Sequence, residues 1–191
     1  MAFFNLYTYS IDERENVNPF WSNIFRGTRD ENSLAYFLGS VPIFRKLNKR
    51  DLGFLETIVH VRNYRADEVI FEEGDIGSGM YAIRSGQVLI YKKDEHGRES
   101  EVAILDPGDF FGEVALTVSR PRLASARATE QTVLVGLFRS DMLETVRKHP
   151  SIASKILLGL TRVISDRLHQ SNLQYQELLR QYANSKEQQT P

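Results

Sequence analysis

One short stretch of the chain carries the residue types that would bind a phosphate group. It runs from Phe110 to Ala128 and reads FFGEVALTVSRPRLASARA. Arg122 supplies a guanidinium, which can form two parallel hydrogen bonds to phosphate oxygens. The small residues Ala124 and Ser125 would let the backbone approach an anion closely. A short helix, predicted at residues 114–118, would add the free N–H groups of its first turn, so this stretch has the chemistry of an anion site.

Glu113 stands nine residues before Arg122 and does not suit a phosphate, because a carboxylate repels it. A carboxylate can instead accept the proton of a hydroxyl, such as the 2′-hydroxyl of a ribose. One arginine for phosphate and one glutamate for sugar describe a nucleoside monophosphate whose phosphate lies near its ribose. A cyclic phosphate fits that geometry. The alternative is a surface salt bridge between the two residues, with no ligand.

The elements that must position these residues are short strands. Apolar or β-branched runs alternate with turns that contain Gly and Asp, and the runs cover residues 69–71, 80–83, 88–91, 102–105 and 133–137. Short strands at this spacing indicate an antiparallel sandwich or barrel. Apolar residues at steps of three and four predict helices from Asn32 to Val61 and again after Ser140, where Pro150 precedes a long helix. The expected fold is mainly β with flanking helices.

The stretch from Phe110 to Ala128 resembles the phosphate-binding cassette of the cyclic-nucleotide-binding domain family, and we call it the cassette. Both cassette halves, FGE-x-A-L and PR-x-A-[ST], stand at the family's spacing. The likeness runs from residue 34 to about residue 170 and includes IFEEGDIGSGMYAIRSGQVLIY, LDPGDFFGE and LFRSDMLETVRKHP. It implies the effector domain of a catabolite-activator-type protein. Such a domain is an antiparallel β-barrel of the jelly-roll type, with N-terminal helices and a long C-terminal helix.

The resemblance also implies roles for individual cassette residues. Arg122 would pair with the cyclic phosphate, and Glu113 would hold the ribose 2′-hydroxyl. Gly112 would permit the tight turn between them. The N–H groups of Ala124 and Ser125, or the Ser125 hydroxyl, would complete the phosphate cradle.

The base would meet the residue after the cassette arginine and the long helix. Family members that prefer cGMP often have Thr at that position, whereas this chain has Leu123, so the resemblance favours cAMP. Ser171 and Asn172 follow Arg167 at the spacing of two residues that contact adenine in catabolite-activator-type dimers; alternatively they are solvated polar residues of the helix. The expected ligand-binding residues are Gly112, Glu113, Val114, Ala115, Arg122, Leu123, Ala124, Ser125, Ser171 and Asn172.

The sequence divides into an aromatic-rich N-terminal extension (1–30), a β-barrel domain with flanking helices (31–150), and a long C-terminal helix with a polar tail (151–191). The long helix carries an apolar stripe at steps of three and four, which comprises Leu157, Leu160, Ile164, Leu168, Ser171, Tyr175, Leu178 and Tyr182. The first half of the stripe is expected to pack on its own barrel. The second half is expected to form the seam of a homodimer.

Composition argues against several classes of function. A net charge of −1 gives no field that would attract a nucleic acid. The absence of cysteine removes thiolate metal sites and cysteine nucleophiles, and the four histidines show no spacing for haem or metal ligation. We therefore expect no metal, no cofactor and no catalytic residue. The sequence has no signal peptide and no apolar run of about 18 residues, which predicts a cytoplasmic protein without membrane attachment.

Together these observations predict a regulatory sensor of cAMP, or of cGMP as the weaker choice, and not an enzyme. Binding would be transmitted through the C-terminal helix to a dimer mate or to an unidentified protein partner. Two alternatives stay open. One is an interaction scaffold whose nucleotide site is vestigial. The other is a truncated activator-type transcription regulator, because no helix-turn-helix domain follows the long helix in this sequence.

Overall fold

The computed structural model describes the backbone of residues 33–187 and the side chains of residues 33–182. The N-terminal extension predicted at residues 1–30 lies outside the described residues, as does the end of the predicted tail. Within the described range, helices flank two β-sheets, and a long helix follows them.

Helical segments precede the sheets: α1 (Leu34–Ser40), a 3₁₀ turn (Pro42–Phe44) and α2 (Lys49–Glu56). A reciprocal capping box starts α2. The Asn48 side chain accepts the Asp51 N–H at 2.9 Å, and the Asp51 carboxylate accepts the Asn48 N–H at 3.2 Å. The apolar faces of these segments are buried together, through Leu38, Val41, Ile43, Phe44 and Leu55.

The helical prediction up to Val61 is wrong at its end. Helix α2 ends at Glu56, and a strand begins at His60. Ile58 and Val59 continue the helical spacing in the sequence, but they pack against the core from the link between helix and strand. Their apolar character therefore serves a connection and not another helical turn.

The described residues form eight strands in two antiparallel sheets: β1 (His60–Tyr64), β2 (Val69–Phe71), β3 (Gly79–Ser85), β4 (Val88–Lys93), β5 (Glu99–Leu105), β6 (Phe110–Phe111), β7 (Ser125–Ala128) and β8 (Thr132–Phe138). The strand orders are β1-β8-β3-β6 and β2-β7-β4-β5. All five runs predicted from the sequence lie in these strands. Together with the flanking helices, the two sheets confirm the predicted fold class.

The sequence pattern did not indicate β1, β6 and β7. Strand β1 is an edge strand with four exposed residues, so it carries no alternation of apolar and polar residues. Strand β6 has only two residues, and β7 reads SARA, which lacks the β-branched and aromatic residues typical of strands. Strand β7 nevertheless pairs with both β2 and β4. The second half of the cassette is therefore part of a sheet.

Apolar side chains from both sheets meet in one buried cluster, which includes Ile83, Val88, Ile90, Leu105, Phe111, Ala126 and Leu134. A second cluster joins the helices to the sheet that contains β3 and β8. Because β6 and β7 are strands of different sheets, the chain between them crosses from one sheet to the other. That crossing segment holds Glu113 and Arg122.

After the sheets, α3 (Arg139–Lys148) leads into α4 (Pro150–Glu187). Pro150 suits the first helical position, where no N–H is needed. The first half of α4 is packed on the domain, and its buried residues are Ala153, Ile156, Leu160 and Val163. Gly159 lies so close to the Ile43 carbonyl that any Cβ at this position would collide with it. Helix α4 is thereby seated on the 3₁₀ turn.

Candidate functional site

The site begins at a turn that only glycine adopts easily. Strand β6 ends at Phe111, and Gly112 follows with a φ of 74°, in the left-handed region. A Cβ on Gly112 would also collide with Nη1 of Arg122. A 3₁₀ turn over Glu113–Leu116 comes next, in place of the predicted helix at 114–118. The glycine therefore brings the two charged residues of the cassette to the same place.

Arg122 is fixed by backbone carbonyls on two sides. Its Nη2 donates to the Gly79 carbonyl at 2.8 Å, and its Nη1 donates to the Gly112 carbonyl at 3.2 Å. The guanidinium carbon lies 4.2 Å from the centre of the Phe71 ring. Burial lowers the pKa of Arg122 from its usual value, and the charges of nearby groups, including Glu113, partly oppose that shift. An arginine remains protonated nonetheless, so the site holds a partly desolvated positive charge.

The backbone around Arg122 is held by the loop that precedes β3. The Arg122 N–H donates to the Asp75 carbonyl at 2.8 Å, and the Gly74 N–H donates to the Arg122 carbonyl at 2.9 Å. Buried Ser125 adds a third link, because its hydroxyl oxygen accepts the Glu73 N–H at 2.9 Å. The Ser125 hydroxyl, expected to face a phosphate, is thus already bonded to the loop that holds Arg122.

Glu113 is buried and carries an ion pair to α4. Its Oε1 lies 2.6 Å from Nη1 of Arg167, and only 8% of the Glu113 side chain is exposed. Arg167 also donates to the Phe110 carbonyl at 3.3 Å, and its guanidinium carbon lies 4.9 Å from the centre of the Phe110 ring. The cassette is therefore joined directly to the long helix.

The motif spacing gave no role to Arg167, which served only to place Ser171 and Asn172. A signal for its role was present. Arg167 continues the spacing of the buried residues Ile156, Leu160 and Val163, at steps of four, three and four. An arginine on the buried face of an amphipathic helix needs a partner, because a buried charge is costly unless it is paired.

The structure distributes the other expected site residues between buried and exposed positions. Ala115 is buried against Gly77, and Ala124 is buried beside the core. Val114 and Leu123 are exposed, Leu123 to 80%. On α4, Ser171 is half-buried and Asn172 is exposed, and within the described residues neither side chain hydrogen-bonds to the cassette. The structure thus brings Gly112, Glu113, Arg122, Ala124 and Ser125 together, whereas Ser171 and Asn172 make no described hydrogen bond to them.

The sequence also matches a known family. Residues 61–149 match the family model described as "Cyclic nucleotide-binding domain". These residues form a cyclic nucleotide-binding domain. The match confirms the resemblance of the cassette, and the domain continues beyond both cassette strands into α3.

Two relatives of the chain carry the name of a cyclic nucleotide. The chain is 34% identical over 133 residues to the "Cyclic AMP receptor protein" of Thermus thermophilus, across 70% of this chain and 60% of that protein. It is 31% identical over 144 residues to a "cGMP-dependent protein kinase" of Eimeria tenella, across 67% of this chain and 14% of the kinase. The chain therefore spans less than two thirds of the length of either relative.

A solved structure supports the same relationship. The crystal structure of the Thermus thermophilus catabolite activator protein superposes with a TM-score of 0.64 and 32% identity, across 72% of this chain and 62% of that one. Within residues 33–187 no helix combines the length and hydropathy needed to cross a membrane. The described side chains also contain no group of three or more His, Cys, Asp or Glu that could hold a metal ion.

Proposed function

We propose that the chain is a sensor of cyclic nucleotide, with a preference for cAMP, and that it passes the binding signal through α4. One observation carries the proposal: the cassette groups suited to phosphate and ribose lie together, and the ribose group is ion-paired to α4 through Arg167 at 2.6 Å. Binding of a ligand to Glu113 would thus act on α4, which extends beyond the sheets. The role is regulatory and not catalytic.

Arg122 would bind the cyclic phosphate. Its two hydrogen bonds to the Gly79 and Gly112 carbonyls use two of the five N–H groups of a guanidinium, so the others can donate to phosphate oxygens. Since the guanidinium is partly buried, its attraction to a phosphate is screened less than at an open surface. The backbone N–H groups of Ala124 and Ser125 would add to the cradle.

Glu113 would accept the hydrogen bond of the ribose 2′-hydroxyl. A carboxylate has four acceptor positions, so Glu113 can keep Arg167 and bind a hydroxyl at the same time. Ligand binding would then change the strength and geometry of the Glu113–Arg167 pair. If α4 takes up two positions that differ in the strength of this pair, the protein would bind the ligand with a different affinity in each. By linkage, ligand binding would then shift the balance between the two positions.

The preference for cAMP rests on Leu123. Its side chain is 80% exposed and has no hydroxyl that could meet the 2-amino group of guanine. Discrimination of this kind is worth about 1–3 kcal/mol. The relatives are named for both nucleotides, since one is a "Cyclic AMP receptor protein" and another a "cGMP-dependent protein kinase".

The partners in this proposal are a second copy of the chain and a downstream protein. Support for the dimer comes from the second half of α4, which exposes a row of large apolar side chains: Leu168, Tyr175, Leu178 and Tyr182. Exposed apolar rows of this kind mark interaction surfaces. In a dimer, Ser171 and Asn172 would lie close to the base. The cytoplasmic location and the absence of direct nucleic-acid binding belong to the same proposal.

The test is isothermal titration of the full chain with cAMP and with cGMP. We expect cAMP to bind in the micromolar range or tighter, and Arg122→Ala to lose at least roughly 100-fold in affinity because a charge-assisted bidentate contact is removed. Arg120→Ala is the matched control, since Arg120 is an exposed arginine two residues away. Absence of heat with either nucleotide, in protein free of co-purified ligand, would contradict the proposal.

A second function has one observation in its favour. Both side chains proposed to bind the ligand already have partners within the protein. Arg122 donates to two backbone carbonyls, and Glu113 forms an ion pair with Arg167. Such a site could be vestigial, and the domain would then serve as an interaction scaffold. The same titration decides between the two, because a scaffold would keep its fold and bind neither nucleotide.

A further inference from the structure

An aromatic cluster lies under the cassette arginine. The rings of Phe71, Tyr81 and Phe111 are mutual neighbours, with centroid separations of 6.3 Å, 5.8 Å and 5.6 Å. Of these three rings, that of Phe71 meets the guanidinium of Arg122, whose central carbon lies 4.2 Å from the ring centre. Phe71 is half-buried and belongs to β2, so it lies outside the cassette in the sequence.

The ring and the carbonyls constrain different movements of the arginine. Hydrogen bonds to the Gly79 and Gly112 carbonyls restrain the guanidinium within its own plane. The Phe71 ring contacts the guanidinium as a cation–π partner and limits its movement on the side of the ring. An arginine side chain otherwise loses much of its rotamer entropy when it is ordered by a ligand. Fixing the arginine in advance removes part of that loss from the binding step.

Backbone pairing makes this arrangement rigid. Strand β2 pairs with β7, and Phe71 stands opposite Ala126 in that ladder. Arg122 lies four residues before Ala126, in the segment that leads into β7, and its N–H and carbonyl are bonded to Asp75 and Gly74 just after β2. Backbone hydrogen bonds therefore hold the arginine beside the strand that carries the ring.

We propose that Phe71 is a positioning residue for nucleotide binding: its ring holds the Arg122 guanidinium in the orientation that receives the cyclic phosphate. The inference rests on the proposed function and adds a determinant of affinity that lies outside the cassette. A packing role alone is the competing explanation, because the same ring also contacts Tyr81 and Phe111.

The first experiment compares cAMP affinity in Phe71→Leu, Phe71→Tyr and Phe138→Leu by titration of the full chain. Phe71→Leu is expected to weaken binding roughly tenfold, since a desolvated cation–π contact is lost. Phe71→Tyr keeps a ring face and is expected to stay within about threefold of the wild-type affinity. Phe138→Leu is the matched control, because Phe138 contacts Tyr81 at the far side of the cluster and has no ring contact with Arg122. Urea unfolding of each variant measures the common loss of stability.

The second experiment is a double-mutant cycle with Arg122→Lys. Lysine keeps the charge but has no planar guanidinium, so Phe71→Leu is expected to cost less than about threefold in that background. An equal loss in both backgrounds, or an equal loss in Phe138→Leu, would overturn the positioning role in favour of packing. If the wild type binds cAMP and Arg122→Ala does not, while Phe71→Leu binds normally, this inference fails and the proposed function stands. If the wild type binds no cyclic nucleotide, both fail.

Discussion

From Pro150 to Arg167, helix α4 lies against the rest of the domain, whereas from Leu168 to Tyr182 every residue except the half-buried Ser171 is exposed. The first half buries an apolar face, and two of its cations pair with buried carboxylates: Lys155 with Asp51 and Arg167 with Glu113, each at 2.6 Å. The second half has large apolar side chains in solvent. The first half therefore belongs to the fold, while the exposed apolar side chains of the second half support the proposed interaction surface.

Arg167 lies at the border between the two halves. Among the described residues, it is the residue of α4 that forms an ion pair with the cassette. A ligand that acts on Glu113 therefore acts at the point where α4 leaves the domain.

Replacing one leucine in each half should give very different losses of stability. Leu160 is buried in the first half, and Leu160→Ala is expected to lower the free energy of unfolding by about 3 kcal/mol because it removes buried contacts and leaves a cavity. Leu168 is 60% exposed, and Leu168→Ala is expected to change the monomer's free energy of unfolding by less than about 0.5 kcal/mol. Urea unfolding at low protein concentration measures both values.

The same two variants also test the proposed dimer. Sedimentation equilibrium at high concentration should show weaker self-association in Leu168→Ala than in the wild type, since the seam loses a side chain. Equal destabilisation by the two substitutions in the monomer would contradict the division of α4. Unchanged self-association in Leu168→Ala would place the seam elsewhere.

The Asp51–Lys155 pair should make part of the stability of the first half depend on pH. The hydrogen bond from Lys155 is the main cause that lowers the pKa of Asp51, and burial opposes it. A carboxyl whose pKa is lower in the folded state stabilises the fold above its unfolded pKa of about 3.9, and this contribution is lost as the pH falls through the lower, folded value. Lys155→Met is expected to cost about 1 kcal/mol at pH 7, because it leaves the Asp51 carboxylate buried without its partner.

The check is the difference in unfolding free energy between the wild type and Lys155→Met as a function of pH. The difference should shrink as the pH falls toward the lowered folded-state pKa of Asp51 in the wild type, because the protonated carboxyl no longer pairs with Lys155. Lys148→Met is the control, since Lys148 pairs with Glu144 at the surface and such pairs contribute little. A difference that stays constant down to pH 2 would show that Lys155 stabilises α4 by packing alone.

Much of the fold could be predicted because its signals are local in the sequence. The five predicted strands are apolar runs between turn residues, and Pro150 marks the start of the long helix. Strand β1 could not be predicted, because an exposed edge strand has no buried face to give an alternating pattern. Strand β7 could not be predicted either, because its sequence SARA has small residues and lacks the β-branched and aromatic residues that are typical of strands.

The candidate site divides in the same way. Gly112, Glu113 and Arg122 could be found because they lie on one segment with a recognisable spacing. Phe71 could not, because it reaches the cassette from β2 and only the fold brings it there. Arg167 reaches the cassette from α4, and its place on the buried face of that helix indicated that it needs a partner but not which partner. Contacts that depend on tertiary structure leave no spacing in the sequence, although a charge on the buried face of a helix is a usable signal.

Hydrogen exchange of the full chain, with and without saturating cAMP, in the wild type and in Arg167→Met, tests whether ligand binding reaches α4. In the wild type, cAMP should slow exchange in the cassette and change it in α4 around residues 164–172. In Arg167→Met, the cassette should still respond to cAMP while the response of α4 is lost. Protection confined to the cassette in the wild type, or no protection in either place, would contradict the claim that ligand binding is passed to α4 through Arg167.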